Sequence, residues 1–324
     1  MKQQEFENLY TESWNHFETS INDLRQKKTK PSPQFPEQYR QICSQLSLAR
    51  QRHYSDNIIK RLNNLVMEGH HILYQKDNRF PIKQLARALD SFVTSLRQNN
   101  RFVLLSALLL VIPGLLAGLL SYLDETIIFS LISPEQVKHM EEMYDPARDK
   151  IGRDRGSETD LAMFGHYIKN NIGIAFQTFA GGIFLGLGSI FFLCYNGLYI
   201  GAIAGRLTSV GYSVTFYPFV IGHGAFELTA IVFSGAAGLM IGYSLINPGN
   251  LPRIKALRKT AREAVKIIYG ATFMLLIAAF LEAFWSSSTQ LAIQLKLGIG
   301  AILWLLVFWF CFLSPFGERR HESD

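Results

Sequence analysis

Residues 172–246 form a long apolar stretch in which Arg206 and Glu227 are the only charged side chains. Backbone polar groups inside a bilayer must be hydrogen-bonded within the chain, so a stretch of this kind crosses the membrane as helices. Each crossing takes about 20 residues, and the stretch is long enough for three. The sequence therefore predicts an all-α, polytopic membrane helical bundle.

Two further apolar runs follow this stretch and one precedes it. Together they predict a transmembrane domain over 101–315 with six crossings. The predicted spans are 102–122, 172–194, 195–215, 217–246, 267–285 and 291–313. The span at 195–215 contains an arginine and several glycines, so a re-entrant helix also fits it.

Residues 1–100 are polar and contain no apolar run that resembles the h-region of a signal peptide. Apolar residues recur there at helical spacing, for example Trp14, Phe17 and Ile21. A proline-rich break at 30–36 separates the first helix from the next. We predict a helical bundle over 1–100 that lies outside the membrane.

Positive charge predicts the orientation of the chain. Five basic residues precede the first span, Arg79, Lys83, Arg87, Arg97 and Arg101. By the positive-inside rule, residues 1–100 and both termini are then cytoplasmic, and the segment 123–171 lies outside. Within this outer segment, Ser133 followed by Pro134 and Glu135 predicts the start of a helix.

A second basic segment lies at 251–266. Its cations are Arg253, Lys255, Arg258, Lys259, Arg262 and Lys266, against one acidic residue, Glu263. Apolar residues occupy the other side of the predicted helix, a pattern typical of a helix on an anionic lipid surface. Membrane lipids are thus expected partners, although an ordinary cytoplasmic loop explains the same charges.

Glycines spaced four residues apart predict close helix packing. They are Gly114 and Gly118, Gly182 and Gly186, Gly197, Gly201 and Gly205, and Gly238 and Gly242. This spacing places small residues on one helical face, where two backbones can approach each other. Packing within the chain and packing between copies both use such faces.

Polar residues at membrane depth are the candidate functional residues. They are Asn170, Asn171, Asn196, Arg206, His223, Glu227 and Glu282. His223 and Glu227 are four residues apart and share one helical face. Two interpretations stand: a buried structural network, or a proton or solute path with Glu227 as its titrating group.

Familiar catalytic patterns are absent from the sequence. It contains no HExxH and no GxSxG motif, and Cys43, Cys194 and Cys311 have no CxxC spacing. A zinc site needs three or four ligands, and the other histidines lie far from His223 in sequence. We therefore predict no enzymatic activity, no catalytic residue, no cofactor and no metal, and we expect no nucleic-acid partner.

Several motifs occur in an order that resembles the bacterial stage II sporulation protein M family. They are Asn-Asn at 170–171, Gly-Gly at 181–182, Asn-Gly-Leu at 196–198 and His-Gly-x-x-Glu at 223–227. The resemblance covers about residues 95 to 315. The helical N-terminal region is similar to that of the extended, non-sporulation members.

The resemblance implies a multi-pass protein of the bacterial plasma membrane. Founding members act as scaffolds that recruit peptidoglycan-degrading enzymes, and wider members are often encoded near MoxR-type AAA+ ATPases. The expected function is therefore a non-enzymatic membrane scaffold, a homo-oligomer and specifically a dimer, with an AAA+ ATPase or a cell-wall enzyme as candidate partner. The alternative is a transporter or channel component with a polar path past His223 and Glu227.

Overall fold

The computed structural model of the protein describes residues 1–27, 32–74, 82–147, 159–286 and 291–317. All the regular structure in these residues is helical, and no strand occurs among them. The predicted all-α helical bundle is confirmed.

The chain divides into two compact units, Met1–Ile82 and Lys83–Asp324. The first contains three helices, α1 (Gln3–Lys27), α2 (Phe35–Gln51) and α3 (Asp56–Tyr74). Of the predicted proline-rich break at 30–36, residues 32–34 precede α2, and residues 35–36 belong to its first turn.

Large apolar side chains form the core of the first unit. Its fully buried members include Phe6, Trp14, Phe17, Ile21, Phe35, Ile42 and Leu62. The Trp14 indole Nε1 donates to Gln45 Oε1 at 2.7 Å, which satisfies its buried donor. The predicted apolar face of α1 thus packs inward.

The second unit contains the remaining helices. They are α4 (Ile82–Gln98), α5 (Asn100–Leu123), α6 (Pro134–Tyr144), α7 (Thr159–Ala180), α8 (Leu187–Ser209), α9 (Ser213–Ile246), α10 (Arg253–Phe280) and α11 (Ile293–Phe308). A π-helical turn, Leu281–Ser286, continues α10, and another, Trp309–Leu313, continues α11. The Ser133 side chain accepts a hydrogen bond from the Gln136 amide at the start of α6, as its sequence predicts.

Five of the helices found among the described residues are long and apolar enough to cross a membrane, whereas the sequence predicted six crossings. Their bounds are Asn100–Leu123, Leu187–Ser209, Ser213–Ile246, Arg253–Ser286 and Ile293–Leu313. The helix at Ser213–Ile246 is the central one, because 72% of its most apolar window is buried, against 22–39% for the other four. The second unit is therefore a membrane unit built around α9.

The boundary between the two units lies at residue 82, whereas the sequence predicted it at 100. Phe92, Val93 and Leu96 of α4 belong to the core of the membrane unit. Arg97 Nη2 also donates to the Ser314 carbonyl oxygen at 2.8 Å. The amphipathic pattern of α4 indicates that one of its faces is buried, but it does not indicate which helices cover that face. The sequence therefore assigned α4 to the first unit, and the predicted boundary fell after it.

The predicted span at 172–194 is two helices, because α7 ends at Ala180 and α8 begins at Leu187. Between them, Leu185 and Gly186 both have positive φ angles, 54° and 84°. A left-handed backbone at two successive residues ends an α-helix. The prediction treated Gly182 and Gly186 as packing residues within one helix. Because that helix ends before Gly186, the next span also starts earlier, at 187–209 instead of 195–215.

The basic segment at 251–266 is the first part of α10 and not a separate helix. At about 1.5 Å per residue, the continuous helix Arg253–Ser286 is about 51 Å long, well beyond a hydrocarbon core of about 30 Å. Smaller shifts place the start of α9 at Ser213 and that of α11 at Ile293, against predicted starts of 217 and 291.

Candidate functional site

The polar cluster of the membrane unit lies where α9 meets the π-helical turn after α10. His223 and Glu227 project from α9, and Glu282 projects from the turn. One ligand atom from each of these side chains lies within 4.8 Å of those from the other two. His223 is buried, and both glutamates are partly buried.

Local backbone structure explains how these residues come together. The turn Leu281–Ser286 is π-helical, a form that occurs mostly as single turns within α-helices and is frequent at functional sites. It carries Trp285, whose ring packs against Gly222 so closely that a Cβ there would overlap it. Because Gly222 has no side chain, the turn can approach α9 immediately next to His223.

A hydrogen-bonded chain supports the imidazole. His223 Nδ1 lies 2.9 Å from Ser286 Oγ, and the Lys296 ammonium of α11 donates to the Ser286 carbonyl oxygen at 2.8 Å. Lys296 is only 7% exposed, so this ammonium lies inside the protein. The two contacts connect α9, the π-helical turn and α11.

The asparagine pair of α7 lies at the same cluster. Asn171 is 2% exposed, and its side chain approaches the Glu227 carboxyl group. Asn170 Nδ2 donates to Asn171 Oδ1 at 3.0 Å. The buried Nδ2 of Asn171 makes no hydrogen bond of good geometry.

Two predicted members of the network have other partners. Asn196 Nδ2 donates to the Phe192 carbonyl oxygen of its own helix at 2.7 Å. Arg206 forms ion pairs with Glu125 at 2.8 Å and with Glu141 at 2.7 Å. Arg206 thus holds the segment after α5 and helix α6 against α8.

The predicted glycines meet in two places. In the first, Gly197, Gly201 and Gly205 of α8 lie against the backbone of α5 at Leu110, Gly114 and Gly118. A Cβ on any of these three α8 glycines would overlap an α5 carbonyl oxygen. We call this contact the α5–α8 seam.

The second contact joins the α7–α8 connection to α9. A Cβ on Gly182 would overlap the Gly238 carbonyl oxygen, and a Cβ on Gly242 would overlap the Gly186 amide nitrogen. We call this contact the α9 seam. In both seams the backbones themselves are in contact.

The basic residues of α10 lie mostly at the surface. Arg253, Lys255, Arg258, Lys259 and Arg262 are exposed, while Lys266 Nζ pairs with Glu263 at 2.7 Å. Glu263 also accepts a hydrogen bond from Ser95 Oγ of α4 at 2.7 Å. The exposed cations are free to contact lipid head groups, and that contact stays a prediction.

Two of the cavities in the described part of the membrane unit are apolar. One, of about 560 Å³, lies between α4, α10 and α11. The other, of about 550 Å³, follows the α5–α8 seam. Neither of these two cavities is lined by His223, Glu227 or Glu282.

Sequence reasoning missed Ser286 and Lys296. A lysine at 296 within an apolar run was the available signal, since a charge there must face protein or water. Nothing in the sequence pointed to Ser286. Distance along the chain also gave a misleading argument against a metal site, because the fold brings Glu282 to His223 and Glu227 as a third candidate ligand.

Comparison with known proteins gives two family matches. Residues 102–287 match the sequence model of the family described as Stage II sporulation protein M, and residues 4–75 match that of a domain of unknown function, DUF8413. An uncharacterized protein of Methanocaldococcus jannaschii is 25% identical over 126 residues, which cover 37% of this chain and 69% of the relative. No solved structure matches the chain.

Proposed function

Because the chain belongs to the stage II sporulation protein M family, we propose that it is a non-enzymatic integral membrane scaffold. In this proposal the membrane unit anchors an oligomer, specifically a dimer, in the plasma membrane. The first unit recruits envelope-related partners, with an AAA+ ATPase and a cell-wall enzyme as the candidate classes.

The closed packing of the membrane unit carries the proposal. Along both seams the helices touch through backbone atoms, and the cavity beside the α5–α8 seam is lined mainly by apolar side chains. The two apolar cavities do not include the polar cluster in their linings. A transport path requires polar groups that face water or a cavity.

The separate core of the first unit supports a recruiting role. Its three helices bury Trp14, Phe17 and other large side chains among themselves. They therefore form a compact unit of their own, and the family match over residues 4–75 covers nearly all of these three helices. A scaffold needs such a unit outside the membrane to hold partners.

A transporter or channel component is the competing function. The observation that favours it is the group of ionisable side chains at His223, Glu227, Glu282 and Lys296 within the membrane unit. Such groups in membrane proteins often belong to proton or ion pathways. The two functions differ in whether the first unit or the cluster is required for activity.

Deletion of residues 4–75 tests the scaffold. The tagged full-length protein and the deletion variant are crosslinked in cells, purified in mild detergent, and compared for co-purified proteins and for particle mass by light scattering. We expect the deletion to remove the co-purified partners while the membrane unit still accumulates at normal abundance. Equal partner recovery from both proteins would contradict recruitment by the first unit.

A further inference from the structure

We propose that His223, Glu227 and Glu282 bind one divalent transition-metal ion, which links α9 to the π-helical turn after α10. Their ligand atoms lie within 4.8 Å of one another. Ligands about 2.1 Å from a tetrahedral metal are about 3.4 Å apart, so small side-chain rotations suffice to close the site. The site goes beyond the scaffold function and does not depend on it.

The two glutamates bring their carboxyl oxygens together beside the imidazole. Carboxylates this close repel each other unless a proton or a cation lies between them. A proton shared by two carboxyl groups needs no third ligand. The adjacent imidazole therefore favours a metal ion, since nitrogen and oxygen donors together suit zinc, iron and manganese.

The imidazole is oriented as a metal ligand. Its Nδ1 lies 2.9 Å from Ser286 Oγ, so in this proposal Nε2 is the nitrogen that coordinates the ion. Histidines that bind metals almost always use their second nitrogen in such a hydrogen bond, which fixes the ring orientation. The Lys296 ammonium in turn donates a hydrogen bond to the Ser286 carbonyl oxygen at 2.8 Å.

Asn171 provides an independent indication of a ligand. It is 98% buried and approaches Glu227, but its Nδ2 makes no hydrogen bond of good geometry. The oxygen and nitrogen of an asparagine amide are assigned from the hydrogen-bond network, and a metal ion would favour the reversed orientation. In that orientation the Asn171 carbonyl oxygen faces the site as a fourth ligand, and the Asn170 amide reverses as well, so that its Oδ1 accepts from Asn171 Nδ2.

Metal content of the purified protein tests the proposal. The full-length chain carries a streptavidin-binding tag, because a histidine tag would itself bind metal. It is purified in mild detergent, incubated separately with Zn²⁺ and with Mn²⁺, passed through a desalting column and measured by inductively coupled plasma mass spectrometry. We expect about one ion per chain for at least one of the two metals.

Matched variants locate the ion. Glu227→Gln and Glu282→Gln keep the side-chain shape and should each reduce bound metal at least tenfold, as should His223→Gln. Ser286→Ala removes the support of the imidazole and should weaken metal affinity about 10–100-fold. His139→Gln and His166→Gln change exposed histidines on α6 and α7 and should leave the metal content unchanged.

The ion should also stabilise the protein. We expect the bound metal to raise the detergent melting temperature of the wild type but not that of Glu227→Gln or Glu282→Gln, because only a site with its ligands gains from mass action. Absence of both metals from the wild type would overturn the proposal and favour a shared proton. Equal metal content in the wild type and the ligand variants would overturn it as well.

Discussion

The two units of the chain differ in how their helices make their closest contacts. The first unit encloses Phe6, Trp14 and Phe17, the large residues that stabilise a core in water. The membrane unit instead brings glycine against glycine and exposes large residues such as Leu115, Phe184 and Leu305. Lipid removes the hydrophobic force between helices, so close backbone packing takes its place.

This contrast indicates where each unit is sensitive to substitution. In the first unit stability depends on the volume of buried side chains, and a loss of volume is harmful. In the membrane unit it depends on the absence of side chains along the seams, and a gain of volume is harmful. The predictions below test this difference, beginning with the largest effect.

Gly182→Leu should have the largest effect. Its side chain would meet the Gly238 backbone in the α9 seam, and backbone cannot move aside as a flexible side chain can. We expect a loss of at least about 3 kcal/mol in stability, seen as loss of monodisperse protein in detergent. Gly298→Leu is the matched control, since no atom lies within 4 Å of its added Cβ. Normal yield from Gly182→Leu would mean that the α9 seam does not form.

Trp14→Ala tests the first unit by removing volume from its core, whereas Gly182→Leu adds volume to a seam. It removes a side chain that is 1% exposed, together with the hydrogen bond to Gln45. We expect the full-length chain to lose about 3–5 kcal/mol of stability in this unit, measured by proteolysis of residues 1–75 under native conditions. Leu9→Ala on the same helix alters an exposed residue and should have little effect. Equal proteolysis of both variants would contradict a core centred on Trp14.

Arg206→Gln should have an intermediate effect. The guanidinium is 13% exposed and pairs with Glu125 and Glu141. A hydrogen bond between charged groups, such as that from Arg206 Nε to Glu141, contributes about 1.5–3 kcal/mol, and part of this is lost to screening at the partly exposed glutamate. We expect a loss of about 1–3 kcal/mol, measured as a lower melting temperature in detergent. Lys138→Gln, at an exposed pair with Glu142, should change the melting temperature very little.

Orientation in the membrane can be measured without disturbing either core. In a cysteine-free background, a cysteine at Glu135 should react with a membrane-impermeant maleimide in intact cells, and one at Arg258 should not. Both positions are exposed, so neither substitution should affect folding. Labelling at both positions would place the start of α10 outside and contradict the predicted cytoplasmic basic segment.

Several features of the fold follow from the sequence alone. Apolar runs of spanning length predict the all-α membrane bundle, and Ser133 with Pro134 predicts the start of α6. Glycine spacing indicates which helical faces lack side chains. The choice of partner for each face, such as Gly201 against Gly114, follows from the fold and not from the spacing.

Other features depend on contacts between distant parts of the chain. The break at Leu185 and Gly186 depends on the α9 backbone that lies beside it. Glu282 reaches His223 through a π-helical turn, whose hydrogen-bond pattern has no simple sequence signal. The seven polar residues expected to form one network therefore separate, with Arg206 at α6 and the histidine at the cluster.

Proton flux in proteoliposomes tests most directly whether the membrane unit is closed. The purified full-length protein is reconstituted with a pH-sensitive dye inside the vesicles, and a potassium diffusion potential supplies the driving force. A scaffold with closed seams predicts the same proton flux as protein-free vesicles. A flux well above that level in the wild type, and absent in Glu227→Gln vesicles of equal protein content, would show a path past Glu227 and contradict the account.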